Sequence, residues 1–289
     1  MAGTKQRNWL PVVLLGLPVA YFVSLFVYPL ILIVQRSLAQ PVPGQVLGAG
    51  FSVENYVRIF ADPYFLSAIW LTLRISFLTA LFTAALGFPL AYFLSRTRSR
   101  WRGALLMLTL APVLVSIVVR AYGWIVLLSN RGLVNSALQN LGFIDRPLRL
   151  VFNETGVLIG STHVMMPFMV LTVMSTLQNI NPALEDAAAS LGARPFRTFL
   201  DVVVPLALPG ISAGFLLVFV LMCGNFATPI LLGGQVVLTF PVLAYQQFTG
   251  AFNWPFGSAM VTVLLVAVLA LTLAYDRLLR PLISRGAAA

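Results

Sequence analysis

Lysine is almost missing from this chain of 289 residues: Lys5 is the only one. A phosphate-binding loop of the GxxxxGK kind needs a lysine directly after its glycines, so the chain cannot itself be an ATPase of that type. Histidine and cysteine are equally scarce, one of each, at His163 and Cys223. A lone cysteine closes no internal disulfide, and inside an apolar run its thiol behaves as a small hydrophobe. With no cysteine or carboxylate cluster around His163, a metal site is not expected there. A single histidine also cannot supply the haem ligands or the His/Asp/Ser constellation of a membrane-embedded enzyme subunit. His163 is left with two roles, lining a pore or packing between helices. Acids are few as well: Glu54, Asp62, Asp145, Glu154, Glu185, Asp186, Asp201 and Asp276 all fall outside the apolar runs or at their ends. An ion-coupled secondary transporter carries acids within its spans. This chain lacks them, so its energy must come from a partner.

What the chain has in abundance is apolar length. It is 60% hydrophobic, with only 9% charged residues and a mean hydropathy of +0.94. Six runs, 9–34, 67–94, 104–128, 155–177, 210–231 and 257–275, reach the roughly 20 helical residues that cross a hydrocarbon core of about 30 Å. The first run is too long for the apolar part of a signal peptide and is expected to be retained. No internal repeat or soluble domain interrupts the pattern, so residues 1–289 are read as one transmembrane domain of the all-α class. The segment 35–66, with PVPG at 41–44, reads as an external loop. Pro29, Pro89, Pro112, Pro167 and Pro229 interrupt apolar helices, as hinges or fixed kinks.

Charge orients the spans. With the N-terminus inside, Lys5, Arg7, Arg96, Arg98, Arg100, Arg102, Arg194, Arg197, Arg277, Arg280 and Arg285 are cytoplasmic. The other side keeps Arg36, Arg58, Arg131, Arg146 and Arg149, so the bias is eleven against five. That satisfies the positive-inside rule and returns the C-terminus to the cytoplasm. The net charge of +10 is then explained by topology and lipid headgroups, with no basic soluble face for nucleic acid.

The segment 178–209 between the fourth and fifth runs carries the most specific pattern. Asn181 is placed to cap a helix starting at Pro182, whose missing N–H costs nothing in a first turn. Glu185 and Asp186 suit the positive end of the helix dipole, and Gly192 supplies a stop. Leu184, Ala187, Ala188 and Leu191 recur at helical spacing, so one face is apolar with small residues at its middle. Phe196, Phe199, Leu200 and Val203 form a second stripe, expected to end at Pro205 and Pro209. A helix of about ten residues is roughly 15 Å long, too short to span, and reads as a docking element. A membrane-surface amphipathic helix would account for Arg194 and Arg197, but not for the central alanines or the second stripe.

Asp186-Ala187-Ala188, Gly192 after three residues, and Val202, Val204 and Pro205 after nine more resemble the EAA loop of permease subunits in binding-protein-dependent ABC importers. That pattern is Glu-Ala-Ala, three residues, Gly, nine residues, Ile-x-Leu-Pro. Asp186 here replaces the Glu, and valines replace the Ile and Leu, at unchanged spacing. GLVNSALQNLGFIDRPLRLVFN (132–153), MPFMV (166–170), GNFATPILLGG (224–234) and NWPFGSA (253–259) are similar to phrases of the polyamine (spermidine/putrescine) branch.

The resemblance implies the six-helix core of a type I ABC importer permease with a cytoplasmic EAA coupling loop, in a bacterial inner membrane. It implies a partner ATPase dimer, a second permease subunit, usually different from the first, and a periplasmic solute-binding protein. ATP and Mg belong to the ATPase, and this chain carries no cofactor of its own. Glu185, Asp186, Ala187, Ala188 and Gly192 would couple to the ATPase, the two acids facing its basic groups. ATP binding would draw the docked helices together and turn the pathway outward, and hydrolysis would reset it.

The cargo implied is a small amine-bearing solute, polyamine first, with an amino-acid-like solute, a compatible solute or a phosphonate as alternatives. Candidate pathway residues are Tyr122, Trp124, Asn225, Tyr245 and Trp254. The aromatics offer π-faces to a cation or form the interfacial belt. Asn225 stands where many members of the branch carry an acid, and an amide lacks the Coulomb attraction to an ammonium. Arg120 either caps carbonyls near its helix end or meets an anionic group of the cargo; Arg74, near a span end, stays unassigned.

Overall fold

The computed structural model describes residues 9–42 and 45–286. Lys5, Arg7, Pro43 and Gly44 lie outside the described residues, as do the side chains of Arg280 and Arg285. In chain order the helices are α1 (Trp9–Phe22), α2 (Tyr28–Ser37), α3 (Glu54–Ala61), α4 (Pro63–Arg96), α5 (Arg102–Leu114), α6 (Ile117–Leu128) and α7 (Leu133–Asn140). They continue as α8 (Glu154–Gln178), α9 (Ala183–Ser190), α10 (Pro195–Thr198), α11 (Val204–Cys223), α12 (Phe240–Thr249) and α13 (Trp254–Gly286). Three π-helical turns, Val23–Val27, Phe199–Val203 and Pro229–Gly233, join or extend them. Six stretches are long and apolar enough to cross a membrane: Leu14–Ser37, Pro63–Arg96, Ile117–Asn140, Glu154–Gln178, Pro195–Cys223 and Trp254–Arg277.

The chain divides into two compact units. The first comprises the described residues up to Asp62 with Ala244–Val263. Its leading span, Leu14–Ser37, buries none of its most apolar stretch. The expected loop at 35–66 holds structure instead. Strands β1 (Gln40–Val42) and β2 (Gln45–Ala49) pair antiparallel, Gln40 opposite Ala49 and Val42 opposite Gln45. Gly48 is required there: its φ is +66°, and a Cβ would lie 2.5 Å from the Gln40 carbonyl oxygen. Buried Asn55 fastens α3 to the end of α2, donating from Nδ2 to the carbonyls of Ser37 (3.1 Å) and Ala39 (2.9 Å).

The second unit, Pro63–Leu243 with Leu264 onward, packs α4, α8 and α11 around a common core. Ile75, Leu94, Met169, Val173, Val218 and Met222 are buried in it. Lipid is as apolar as leucine, so such helices associate through close contact at small residues. Gly210 and Gly214, a GxxxG pair on α11, meet Thr176 and Met169 of α8. Gly160 on α8 leaves room for Leu232, whose Cδ1 would be 2.2 Å from a Cβ there. Asn153 caps α8 by accepting from the Gly156 N–H at 2.9 Å. Buried Asn135 clamps the preceding loop through Ser129 and Leu148.

Two expected boundaries shift. The run 104–128 is not one helix, because Val115 and Ser116 are extended between α5 and α6. The Arg120 guanidinium donates to the carbonyl of Pro112, and to that of Val115 at 3.4 Å. A side chain thus satisfies groups that a continuous helix would pair. The run 210–231 starts too late and ends too late. The helix begins at Pro195, passes Pro205 and Pro209, and stops at Cys223. The π-turn Phe199–Val203 re-pairs the ladder just before Pro205: the Val204 N–H reaches Phe199, five residues back.

Candidate functional site

Helix α9 forms where the local signals placed it. Asn181 Oδ1 accepts from the Ala183 N–H at 3.0 Å, and the chain turns helical from there. It ends with Gly192 at φ +82°, where the Gly192 N–H bonds Ala189 O and the Ala193 N–H bonds Ala188 O. Nothing lies within 4 Å of a Cβ placed at Gly192, so the glycine answers a backbone requirement, not a crowded one. Asp186 and Ala187 are exposed, Ala188 is half-buried, and Leu191 is 90% exposed. Leu184 is exposed as well, so among the described residues most of the apolar stripe is left uncovered. In the next stripe Phe199 and Val203 turn inward, Phe199 against Phe88 and Tyr92 with ring centroids 5.2 Å away in each case. Phe196 stays 73% exposed.

Glu185 is held differently from Asp186. It does not face outward beside Asp186. Its Oε2 accepts from the Tyr92 hydroxyl at 2.6 Å and its Oε1 from Arg96 Nε at 2.8 Å. Arg96 Nη2 lies 2.7 Å from the same Oε1, and both Nη atoms reach Ile180 O at 3.3 Å. The reason is helical geometry: residue 185 falls on the flank of α9 turned towards the end of α4. Tyr92 and Arg96, four residues apart on one face of α4, were missed as site residues. Their spacing at a span end was the available signal.

Of the candidate pathway residues within the second unit, Asn225 and Trp124 line different cavities. Arg120 and Asn225 line a common cavity of about 630 Å³, with Met165, Phe168 and Phe226 among its other walls and no acid among its lining. Asn225 is engaged locally: Oδ1 accepts from the Thr228 N–H and Nδ2 donates to Thr228 Oγ1, each at 3.1 Å. Trp124 Nε1 donates to His163 Nδ1 at 3.3 Å beside an apolar groove of about 460 Å³. Tyr122, on the same helix, is exposed. Tyr245 and Trp254 belong to the other unit, where Trp254 stands edge-on to Phe248 with centroids 5.9 Å apart. Arg74 pairs with Glu154, joining α4 to the start of α8.

Six apolar spans with a short exposed helix between the fourth and fifth define a multi-pass membrane protein. The chain belongs to the family described as the binding-protein-dependent transport system inner membrane component, which matches residues 59–285. It is 34% identical over 226 residues to the spermidine/putrescine transport system permease protein PotB of Haemophilus influenzae, covering 78% of this chain and 79% of that one. PotB of Salmonella typhimurium is 32% identical over 275 residues, covering 95% and 94%. The molybdenum transport system permease protein ModB of Azotobacter vinelandii is 31% identical, over 63% of this chain and 79% of that one. A bacterial ABC transporter that imports the acidic polysaccharide alginate superposes with a TM-score of 0.79 at 21% identity, over 95% of this chain and 96% of that one. The MetNI methionine ABC transporter gives 0.59 at 18% identity, over 75% and 94%. These two likenesses establish the fold. The chain is therefore a multi-pass inner-membrane permease subunit of an ABC import system that works with a binding protein.

Proposed function

We propose that this permease forms the pathway for a small amine-bearing solute, polyamine-like, and that α9 docks on a partner ATPase dimer. The observation that carries the cargo reading is the identity of 32–34% to spermidine/putrescine permeases, spread over most of the chain. The exposed stripe of α9, with Asp186 beside it, supports docking: exposed apolar surface next to a charge suits a protein contact. ATP and Mg sit on that ATPase. A second, different permease subunit and a periplasmic binding protein complete the assembly. Both termini and the segments 96–102 and 181–209 face the cytoplasm, as the arginine bias requires.

Arg120 in the cavity wall with Asn225 favours a second reading, in which the cargo also carries an anionic group. A guanidinium with no acid beside it repels a pure polycation and attracts a carboxylate. A thermal-shift screen of the cognate binding protein over polyamines, amino acids, phosphonates and sugars separates the readings. Stabilisation by spermidine or putrescine supports the first, and stabilisation by an amino acid or phosphonate supports the second. Stabilisation by a sugar alone refutes both while leaving the permease assignment intact. Docking is tested by deleting 182–191: the ATPase should no longer copurify or drive uptake.

A further inference from the structure

Helix α9 hangs between two irregular connections, 179–182 and 191–194, the second turning through left-handed Gly192. Neither connection can carry a push as a helix would. Side chains supply another route. Glu185 holds Tyr92 and Arg96 of α4 at 2.6–2.8 Å, and its side chain and that of Arg96 are only 17% and 20% exposed. Arg96 also grips the Ile180 carbonyl, bracing the connection itself. Among the described residues, no other side chain of α9 hydrogen-bonds to a span. Charge-assisted bonds shielded from water hold geometry better than exposed ones.

The receiving helix is well placed. At 1.5 Å per residue, α4 with its 34 residues runs for about 50 Å. It packs along both α8 and α11. Towards its other end Arg74 pairs with Glu154 at the start of α8, and buried Thr72 Oγ1 accepts from the Phe240 N–H at 2.8 Å. A displacement applied near residue 96 would reach residues far along the helix if α4 moves as one rod through Pro89.

We propose that Tyr92, Glu185 and Arg96 form a joint that makes α9 move with α4, so that force received at α9 enters the spans through α4. Glu185 and Arg96 act as positioning residues, through each other and Tyr92. The proposal rests on the reading of α9 as the docking helix.

The test uses the complete transporter, with its ATPase and binding protein, in liposomes. Glu185→Ala and Arg96→Ala should leave the ATPase copurifying and turning over ATP, while uptake per ATP falls about fivefold or more. Glu185→Gln, which keeps an acceptor for Tyr92 and perturbs folding least, should lower the same ratio by a smaller factor. In a Cys223→Ala background, Tyr92→Cys with Glu185→Cys should be uncoupled until a short bis-methanethiosulfonate, which joins each thiol with loss of a sulfinate, bridges the pair, and coupled afterwards. A structural defect would not be repaired by that bridge. Wild-type uptake per ATP in Glu185→Ala, or a bridged pair that stays uncoupled, overturns the joint. Failure of the docking reading is seen separately, as an ATPase that still binds and drives uptake after 182–191 is deleted.

Discussion

Adding one methyl group at Gly210 should separate α11 from α8, and the structure gives the size of the effect. A Cβ at Gly210 would lie 2.4 Å from Thr176 Oγ1 and 2.6 Å from Thr176 Cβ. The hydroxyl can rotate away, but the Thr176 Cβ is fixed to the α8 backbone, so the helices must part. Such overpacking costs about 1–3 kcal/mol. At Gly214, one turn on, the first obstacle is Met169 Sδ at 2.7 Å, part of a flexible thioether. Met169 is fully buried and also crowds Gly87, so its freedom is limited, yet Gly214→Ala should cost less, about 1 kcal/mol. Thermal unfolding in detergent reads the difference, at about 2–4 °C per kcal/mol for a chain of this order of size. Thr176→Ala keeps the offending Cβ and should not rescue Gly210→Ala. Thr176→Gly removes it and should restore much of the loss. Equal melting of Gly210→Ala and the wild type, or rescue by Thr176→Ala as full as by Thr176→Gly, would refute the close contact as the source of stability.

Other expectations follow from the same geometry. Gly192→Val should impair ATP-driven uptake while membrane insertion persists, because a left-handed φ costs a side chain about 1–2 kcal/mol; Gly192→Asn, which tolerates that region, should transport almost as the wild type does. Uptake normalised to protein in the membrane checks both. Cysteines at Arg98 and Ser190, both exposed, in a Cys223→Ala background should resist an impermeant reagent on intact cells and react after permeabilisation. Ready labelling from outside would reverse the orientation. Arg120→Gln should weaken stability by freeing the carbonyls of Pro112 and Val115, and Arg120→Lys, which lacks the guanidinium fork, should restore it only in part. Equal melting of both variants and the wild type would show that the capping contributes nothing.

The sequence by itself determined whatever depends on local or composition-wide physics. Apolar length gave the spans 67–94 and 155–177 to within a few residues of α4 and α8, because twenty apolar residues in lipid have no alternative to a helix. The short helix after Asn181 and its stop at Gly192 were legible, since capping and left-handed turns act over four or five residues. The GxxxG pair at 210–214 was equally legible and went unread. Prolines misled: Pro205 and Pro209 signalled an end, but a π-turn upstream lets the helix run through them. Only the tertiary structure decided the rest. It broke the third apolar run at Val115, where a guanidinium from five residues on holds the freed carbonyl. It placed Arg120 and Asn225 on one cavity, though more than a hundred residues separate them in the chain. It also turned Glu185 inward to Tyr92 and Arg96 while leaving Asp186 outside. Adjacent acids on a helix point about 100° apart, so a periodic pattern assigns both to a polar flank. Which one meets a partner depends on the helix that lies alongside, and that contact spans some ninety residues of sequence.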